Sequence, residues 1–314
     1  MNARRPLDGK ATGLMLLLCI IWGLQQIALK ASAPDMAPML QIGLRSGMAA
    51  VAVGIFLRAK GLGVLPGGGA LPAGMLAGTL FALEYIFVGE GLCFTTAGHM
   101  SVMLYTAPAF AALGLHFRIP EERLSFFQWC GMFVAFSGVV IMFYAPARME
   151  QSVRDIVWGD FLGLLAGVAW GATTVVIRTS RLAEVPAAQT VFIQLIAAFI
   201  ILLGCSVFGG DTGYTVSKTL IVSLVYQTII VSFISFMVWF WLLRVYLASR
   251  LGVLSFLTPV FGVIFSILLL DETIDVQFVA GTTCILVGIL LVSGWQLVKK
   301  AFCARETFIG SFYR

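Results

Sequence analysis

Charge is scarce in this chain. Only 11% of its 314 residues are Asp, Glu, Lys or Arg, against about a quarter in soluble domains. With 60% of residues hydrophobic, a water-soluble fold would leave large contiguous apolar patches in solvent, so an ordinary soluble domain is excluded. Histidine is nearly absent: His99 and His116 are the only two, and neither stands at metal-ligand spacing from other ligating residues. No GxxxxGKS/T phosphate loop occurs, which argues against an ATPase within the chain. The six cysteines (Cys19, Cys93, Cys130, Cys205, Cys284 and Cys303) form no CxxC pair and are expected to be free, buried thiols, not disulfides or metal ligands. The net charge of +5 comes from basic residues at the ends of apolar runs, not from an aromatic–basic stripe, so nucleic acid is not an expected partner. Nothing implies a cofactor, and the chain is not expected to be an enzyme.

What is abundant is long apolar sequence. A helix needs about 20 mostly apolar residues to cross roughly 30 Å of hydrocarbon. Ten such runs lie near 12–30, 37–57, 70–92, 97–116, 124–144, 157–178, 186–207, 219–243, 250–270 and 275–297. They are continuous rather than alternating, which predicts helices and not barrel strands. The breaks hold Gly67-Gly68-Gly69, Gly209-Gly210-Asp211 and Pro146, as loops should. Arg4, Arg5 and Lys10 precede the first run as in a signal peptide, but no small-x-small cleavage site follows and the run has a counterpart later in the chain, so it reads as the first helix.

Ten spans put both termini on one side. That side then carries 15 Lys and Arg, and the other only Lys30, Arg148, Arg154 and Lys218. The bias predicts cytoplasmic termini, with tails at 1–11 and 298–314.

The chain also repeats itself. Trp22-Gly23 matches Trp170-Gly171 at an offset of 148, where Lys30 also meets Arg178, Pro38 meets Pro186 and Gln41 meets Gln189. LYTAPAF around Pro108 matches SFLTPVF around Pro259 at an offset of 151, and Glu121 matches Glu272. Gly131 and Gly138 match Gly281 and Gly288 at an offset of 150. Five helices per copy is an odd number, so the copies are inverted in the membrane, as in many secondary transporters. The expected fold is all-α and integral to the membrane, with ten transmembrane helices as two inverted five-helix repeats at 12–146 and 157–297.

The two WG pairs, the Pro108 and Pro259 helices, the Glu121 and Glu272 ends and the glycine-spaced last helix of each half together resemble the drug/metabolite transporter superfamily, in the branch with two EamA domains. The resemblance covers about residues 12–297. It implies a ten-helix carrier of the bacterial inner membrane, often an exporter of amino acids and other metabolites.

Arg45 and Glu84 are the sharpest candidate site residues. Each falls about 8 residues, or about 12 Å, from the outer end of its helix. Charges so deep face a cavity or each other. They are expected either to anchor a zwitterionic or anionic substrate, with Glu84 able to carry a proton, or to pin the second helix to the third. Trp22 and Gln26 share a face, Gln41 and Arg45 another, and Gln189 is the repeat mate of Gln41; these amides line an aqueous path or glue helices. Phe81, Tyr85, Tyr105, Trp170 and Trp239 would shape an apolar pocket. Pro108 and Pro259, in mid-helix, are hinge candidates. Glu90 and His99 are expected to meet as a solvated interfacial pair, or to relay protons.

The expected activity is secondary transport of a small metabolite, most naturally export of amino acids or related compounds, through the lipid bilayer. The proton gradient is the candidate energy source, and a homodimer built on the fifth and tenth helices, read as peripheral, is a candidate assembly. Uptake of a vitamin or similar metabolite and, less well supported, a lipid-modifying intramembrane enzyme using Glu121, Glu122 and His116 remain alternatives.

Overall fold

The computed structural model describes residues 8–120, 123–144, 153–246, 251, 254–255, 257–272, 274 and 276–291. Glu121, Glu122, Cys303 and residues 298–314 lie outside the described residues. The described chain is all-helical apart from one isolated bridge, Met36 to Tyr214. Seven helical segments are long and apolar enough to span a bilayer: Gly9–Ala31, Pro38–Ala59, Leu71–Phe94, Ala97–Arg118, Val153–Thr179, Ala187–Gly209 and Lys218–Trp239. Three shorter apolar helices are Phe126–Ile141, Leu257–Leu270 and Val276–Leu291.

Helices are labelled in chain order: α1 (Gly9–Ala31), α2 (Pro38–Ala59), α3 (Leu71–Phe94), α4 (Ala97–Leu104), α5 (Ala107–Arg118), α6 (Phe126–Tyr144), α7 (Val153–Thr179), α8 (Ala187–Gly209), α9 (Lys218–Val225), a π-helical stretch Tyr226–Ser235, α10 (Phe236–Val245), α11 (Leu257–Leu270) and α12 (Val276–Leu291). Local chemistry sets their ends. Asp8 caps α1 by accepting from Ala11 N at 2.8 Å, Thr96 and Ser217 cap α4 and α9, and Pro38 opens α2 where its missing N–H is harmless. Gly210 ends α8 at φ 79°, a left-handed conformation that glycine adopts without strain.

The fourth apolar run is not one helix. It stops at Leu104, turns through Tyr105 and Thr106, and restarts as α5 with Pro108 in its first turn. Pro108 is therefore at a helix start and not in mid-helix, because its ring forbids the hydrogen bond and the space that a continuous helix needs there. Pro259 lies within α11, and Leu254 and Ser255 ahead of Leu257 are helical too.

The packing is dense where glycine lets backbones meet. A side-chain methyl on Gly23 would sit 3.0 Å from Gly262 N, and one on Gly171 would sit 2.8 Å from Phe110 Cβ. So α1 seats on α11, and α7 seats on α5, each through the glycine of a WG pair. Gly138 presses on the Gly281 carbonyl, 2.5 Å from where its Cβ would be, and Gly288 presses on Gly131 and Ala135. Thus α6 and α12 pack tightly against each other; their outward faces, with Phe126 and Phe133 each 76% exposed, are left for lipid. Cys19 is buried, but Cys93, Cys130 and Cys205 are exposed on the apolar surface, and all described cysteines are free thiols. A single-sided amphipathic pattern is missing from these helices because lipid and core are both apolar, so side chains on every face can be hydrophobic.

Candidate functional site

Between the helices runs a buried polar ladder that starts at the α1–α2 turn. Ser32 Oγ lies 2.8 Å from Gln41 Oε1 and 3.0 Å from Ser223 Oγ. Gln41 Nε2 donates to Met36 O at 2.7 Å. Gln227 Nε2 donates to Ser223 Oγ at 2.7 Å, and Gln227 Oε1 accepts from Arg45 Nη1 at 3.0 Å. Gln41 and Gln227 are fully buried and Arg45 is 1% exposed. Gln41 thus bridges α1, α2 and α9 rather than facing an aqueous path.

Arg45 ends the ladder. It is about seven residues into α2, and Glu84 is about ten residues from the end of α3, depths of roughly 10 and 15 Å. The Arg45 guanidinium lies over the Tyr85 ring, 4.8 Å from its centroid, a favourable cation–π contact. Arg45 and Glu84 do not pair. Arg45 Nε and Glu84 Oε2 are both buried without a hydrogen-bond partner, and so is Gln26 Oε1.

Aromatic rings pack in two groups. Phe81 stands edge-on to Tyr85 at 4.9 Å, and Tyr105 stands edge-on to Trp170 at 5.2 Å; Phe81, Tyr85 and Trp170 share one apolar cluster. In the second, Trp22 Nε1 donates to Ser235 Oγ at 2.9 Å, and the Trp22 ring meets Trp239 edge-on at 5.6 Å. Both of these contacts, Gln227 to Arg45 and Ser235 to Trp22, leave from the π-helical stretch, a conformation that is rare and concentrated at functional positions.

Other candidates are placed elsewhere. Gln189 donates to Gly63 O at 2.6 Å and holds the α2–α3 loop; the structure does not bring it to Arg45. Glu90 and His99 do not meet. Glu90 is exposed, whereas His99 Nδ1 lies 2.8 Å from Asp160 Oδ2 on α7, since a buried imidazole needs a buried partner. Sequence reasoning missed Asp160, Gln227 and Ser235. The signal for the first two was present: each is a strongly polar side chain inside an apolar run, the same feature that singled out Arg45 and Gln41. Among the described residues no group of three or more His, Cys, Asp or Glu is arranged to hold a metal ion.

Apolar spans, glycine-mediated helix contacts and a deeply buried charged site define a multi-pass membrane protein of the transporter class. The chain belongs to the EamA-like transporter family, which matches it at residues 10–144 and again at 157–294. It is similar to the Bacillus subtilis "Uncharacterized transporter YoaV", at 24% identity over 275 residues covering 87% of this chain and 92% of that one. It is also similar to proteins named "Probable amino-acid metabolite efflux pump" in Salmonella typhimurium, at 25% identity over 92% of this chain and 96% of that one, and in Escherichia coli K12, at 24% identity over 88% and 93%. One solved crystal structure shares the fold at a TM-score of 0.63 and 20% identity, covering 90% of this chain and 97% of the other.

Proposed function

We propose that this chain is a secondary transporter that exports a small zwitterionic metabolite of amino-acid type across the bacterial inner membrane, and that it is a carrier and not an enzyme. One observation carries the reading: Arg45 Nε and Glu84 Oε2, of opposite charge, are buried and without partners in the same region. Leaving one buried polar atom unsatisfied costs about 1–3 kcal/mol, and more when it is charged. A ligand bearing a carboxylate and an ammonium would satisfy both groups. Trp22, Gln26, Phe81, Tyr85, Tyr105, Trp170 and Trp239 would surround its side chain. The names of the Salmonella and Escherichia relatives fit this substrate class.

The architecture we propose is ten spans in two inverted repeats. The seven long apolar helices and three shorter ones supply the ten. The pairing of contacts supports inversion: Gly23 on α11 corresponds to Gly171 on α5, and Gly138 on α12 corresponds to Gly288 on α6. Rocking of the halves, with the chain at Pro108 and Pro259 as hinges, would expose Arg45 and Glu84 alternately to the two sides. Both termini would be cytoplasmic, on the side richer in Lys and Arg.

Reconstitution into proteoliposomes loaded with labelled amino acids tests this. Counterflow of at least one of them, saturable and lost in Arg45→Gln, is the expected result. An absence of flux for every amino acid by the folded protein overturns it.

A further inference from the structure

The corner between α3 and α4 is pinned by ionisable side chains from three other elements. Lys30 of α1 donates to Thr95 O at 2.8 Å and also to Leu92 O. Glu272, in the α11–α12 turn, accepts from Ala97 N at 2.8 Å and Gly98 N at 3.1 Å. Asp160 of α7, 1% exposed, accepts from Thr95 Oγ1 at 2.6 Å, and His99 Nδ1 lies 2.8 Å from its Oδ2 and 3.1 Å from its Oδ1. On its face the His99 ring is stacked on Phe278 of α12, with centroids 4.3 Å apart. Glu90 and Cys93 on α3, Arg154 and Asp155 on α7, and Asp271 beside Glu272 are the remaining ionisable groups on these elements near the corner; Glu90, Arg154, Asp155 and Asp271 are exposed to solvent.

An ionised carboxylate can only accept, so Asp160 fixes the proton of a neutral His99 on Nδ1 and leaves Nε2 as the acceptor of a second proton. The charges make that proton useful. With His99 neutral, Lys30 opposes two carboxylates, Asp160 and Glu272. A proton on His99 brings the four side chains to neutrality and turns a hydrogen bond into an ion pair between α4 and α7, which is stronger in a buried setting.

The inverted repeat sharpens this. The repeat mate of Thr95, at the same offset of 151, is Tyr246, whose hydroxyl donates to Asp8 Oδ2 at 2.8 Å at the opposite end of the molecule. The repeat mate of His99 is Arg250, a cation at every physiological pH. At equivalent sequence positions one copy thus carries a switchable cation and the other a permanent one.

We propose that the His99–Asp160 pair is a proton-binding site that governs closure of the outer end. A proton taken from outer water by His99 Nε2 clamps α4 to α7; its release loosens them. No other bond forms or breaks. The step that links this site to substrate movement rests on the transporter reading, but the proton site itself does not.

Hydrogen–deuterium exchange of residues 94–104, in full-length protein in lipid nanodiscs, tests the site without a substrate. After correction for intrinsic exchange, the wild type should protect this segment about tenfold more at pH 5 than at pH 8, the interval over which histidine changes charge. His99→Gln should lose the difference, and Glu90→Gln should keep it. His99→Arg, copying the repeat mate, should be protected at both pH values, which separates loss of charge from loss of fold. Equal protection of the wild type at both pH values, or a pH dependence that survives in His99→Gln, overturns the proposal. In proteoliposomes containing pyranine, an equimolar mixture of the common amino acids should drive proton movement in the wild type. His99→Gln should exchange amino acids but move protons at least about tenfold more slowly; proton movement at the wild-type rate overturns the coupling step. If the wild type exchanges none of them, the transport reading fails and the exchange experiment still decides the proton site.

Discussion

Arg45 donates to Gln227 at 3.0 Å and makes no hydrogen bond to Glu84, a buried carboxylate on the neighbouring helix α3. An ion pair between them would have been a static brace. Instead each keeps a buried polar atom without a partner, and the brace is made by an amide.

From this it follows that Glu84 matters for transport in a way that Glu90 does not. Glu84→Gln keeps shape and removes charge, so flux in proteoliposomes should fall at least about tenfold, equivalent to about 1.4 kcal/mol. Glu90 is exposed at the end of α3, and Glu90→Gln should stay within about twofold of the wild type. Equal rates for the two variants would remove Glu84 from the site.

Backbone contact at glycine makes a stability prediction. A methyl on Gly171 or Gly138 would lie 2.8 Å from Phe110 Cβ or 2.5 Å from the Gly281 carbonyl, so a helix must move. Gly171→Ala and Gly138→Ala should each destabilise the folded protein by about 1–3 kcal/mol, read as a lower unfolding midpoint in detergent. Gly204, with no atom within 4 Å of its would-be Cβ, is the control. Gly204→Ala should be neutral or stabilising by up to about 1 kcal/mol through helix propensity.

Much of this was legible in the sequence, for a physical reason. A bilayer demands about 20 apolar residues per crossing, and a close helix contact demands glycine, so the seven long apolar segments could be read directly, and the matched glycines Gly23, Gly171, Gly138 and Gly288 all stand at close helix contacts. Partners could not. Gln227 lies 182 positions from Arg45, and Asp160 lies 61 from His99. The pairing of His99 with Glu90 relied on their nearness along the chain, whereas burial selects a partner by tertiary position. Gln41 and Gln189 stand 148 positions apart at matching places in the sequence, yet Gln41 is spent on the Met36 carbonyl just ahead of its helix and Gln189 on the Gly63 carbonyl of the α2–α3 loop. The break at Tyr105 and Thr106 was half visible: Pro108 marked a disturbance, but not that the helix ends before it.

The contact between Asp8 and Tyr246 should make stability depend on pH. Hydrogen bonds from the Ala11 amide and the Tyr246 hydroxyl hold the Asp8 carboxyl below its ordinary value. A depressed carboxyl contributes stability above its unfolded value, near 4, and loses it as pH falls through the folded one. Wild type and Asp8→Asn should therefore differ in unfolding midpoint by a constant amount at neutral pH and converge in acid below about pH 4. Tyr246→Phe should shrink the difference. A gap that persists unchanged in acid would show that Asp8 acts through its shape and not its charge.

Orientation is the last prediction, and the two ends of the molecule offer clean reporters. Lys60, after α2, and Lys218, at the start of α9, are both exposed. The Lys and Arg bias puts Lys60 inside and Lys218 outside. In a background with Cys93, Cys130 and Cys205 replaced, since all three are exposed, a membrane-impermeant maleimide added to intact cells should label Lys218→Cys. Lys60→Cys should react only after permeabilisation. The reverse pattern would place both termini outside and move His99 and Asp160 to the cytoplasmic end, where the proton on His99 would answer to cytoplasmic pH. Orientation and the proposed proton site therefore stand on one measurement, because the sign of the gradient that His99 senses is set by which end of α4 faces out.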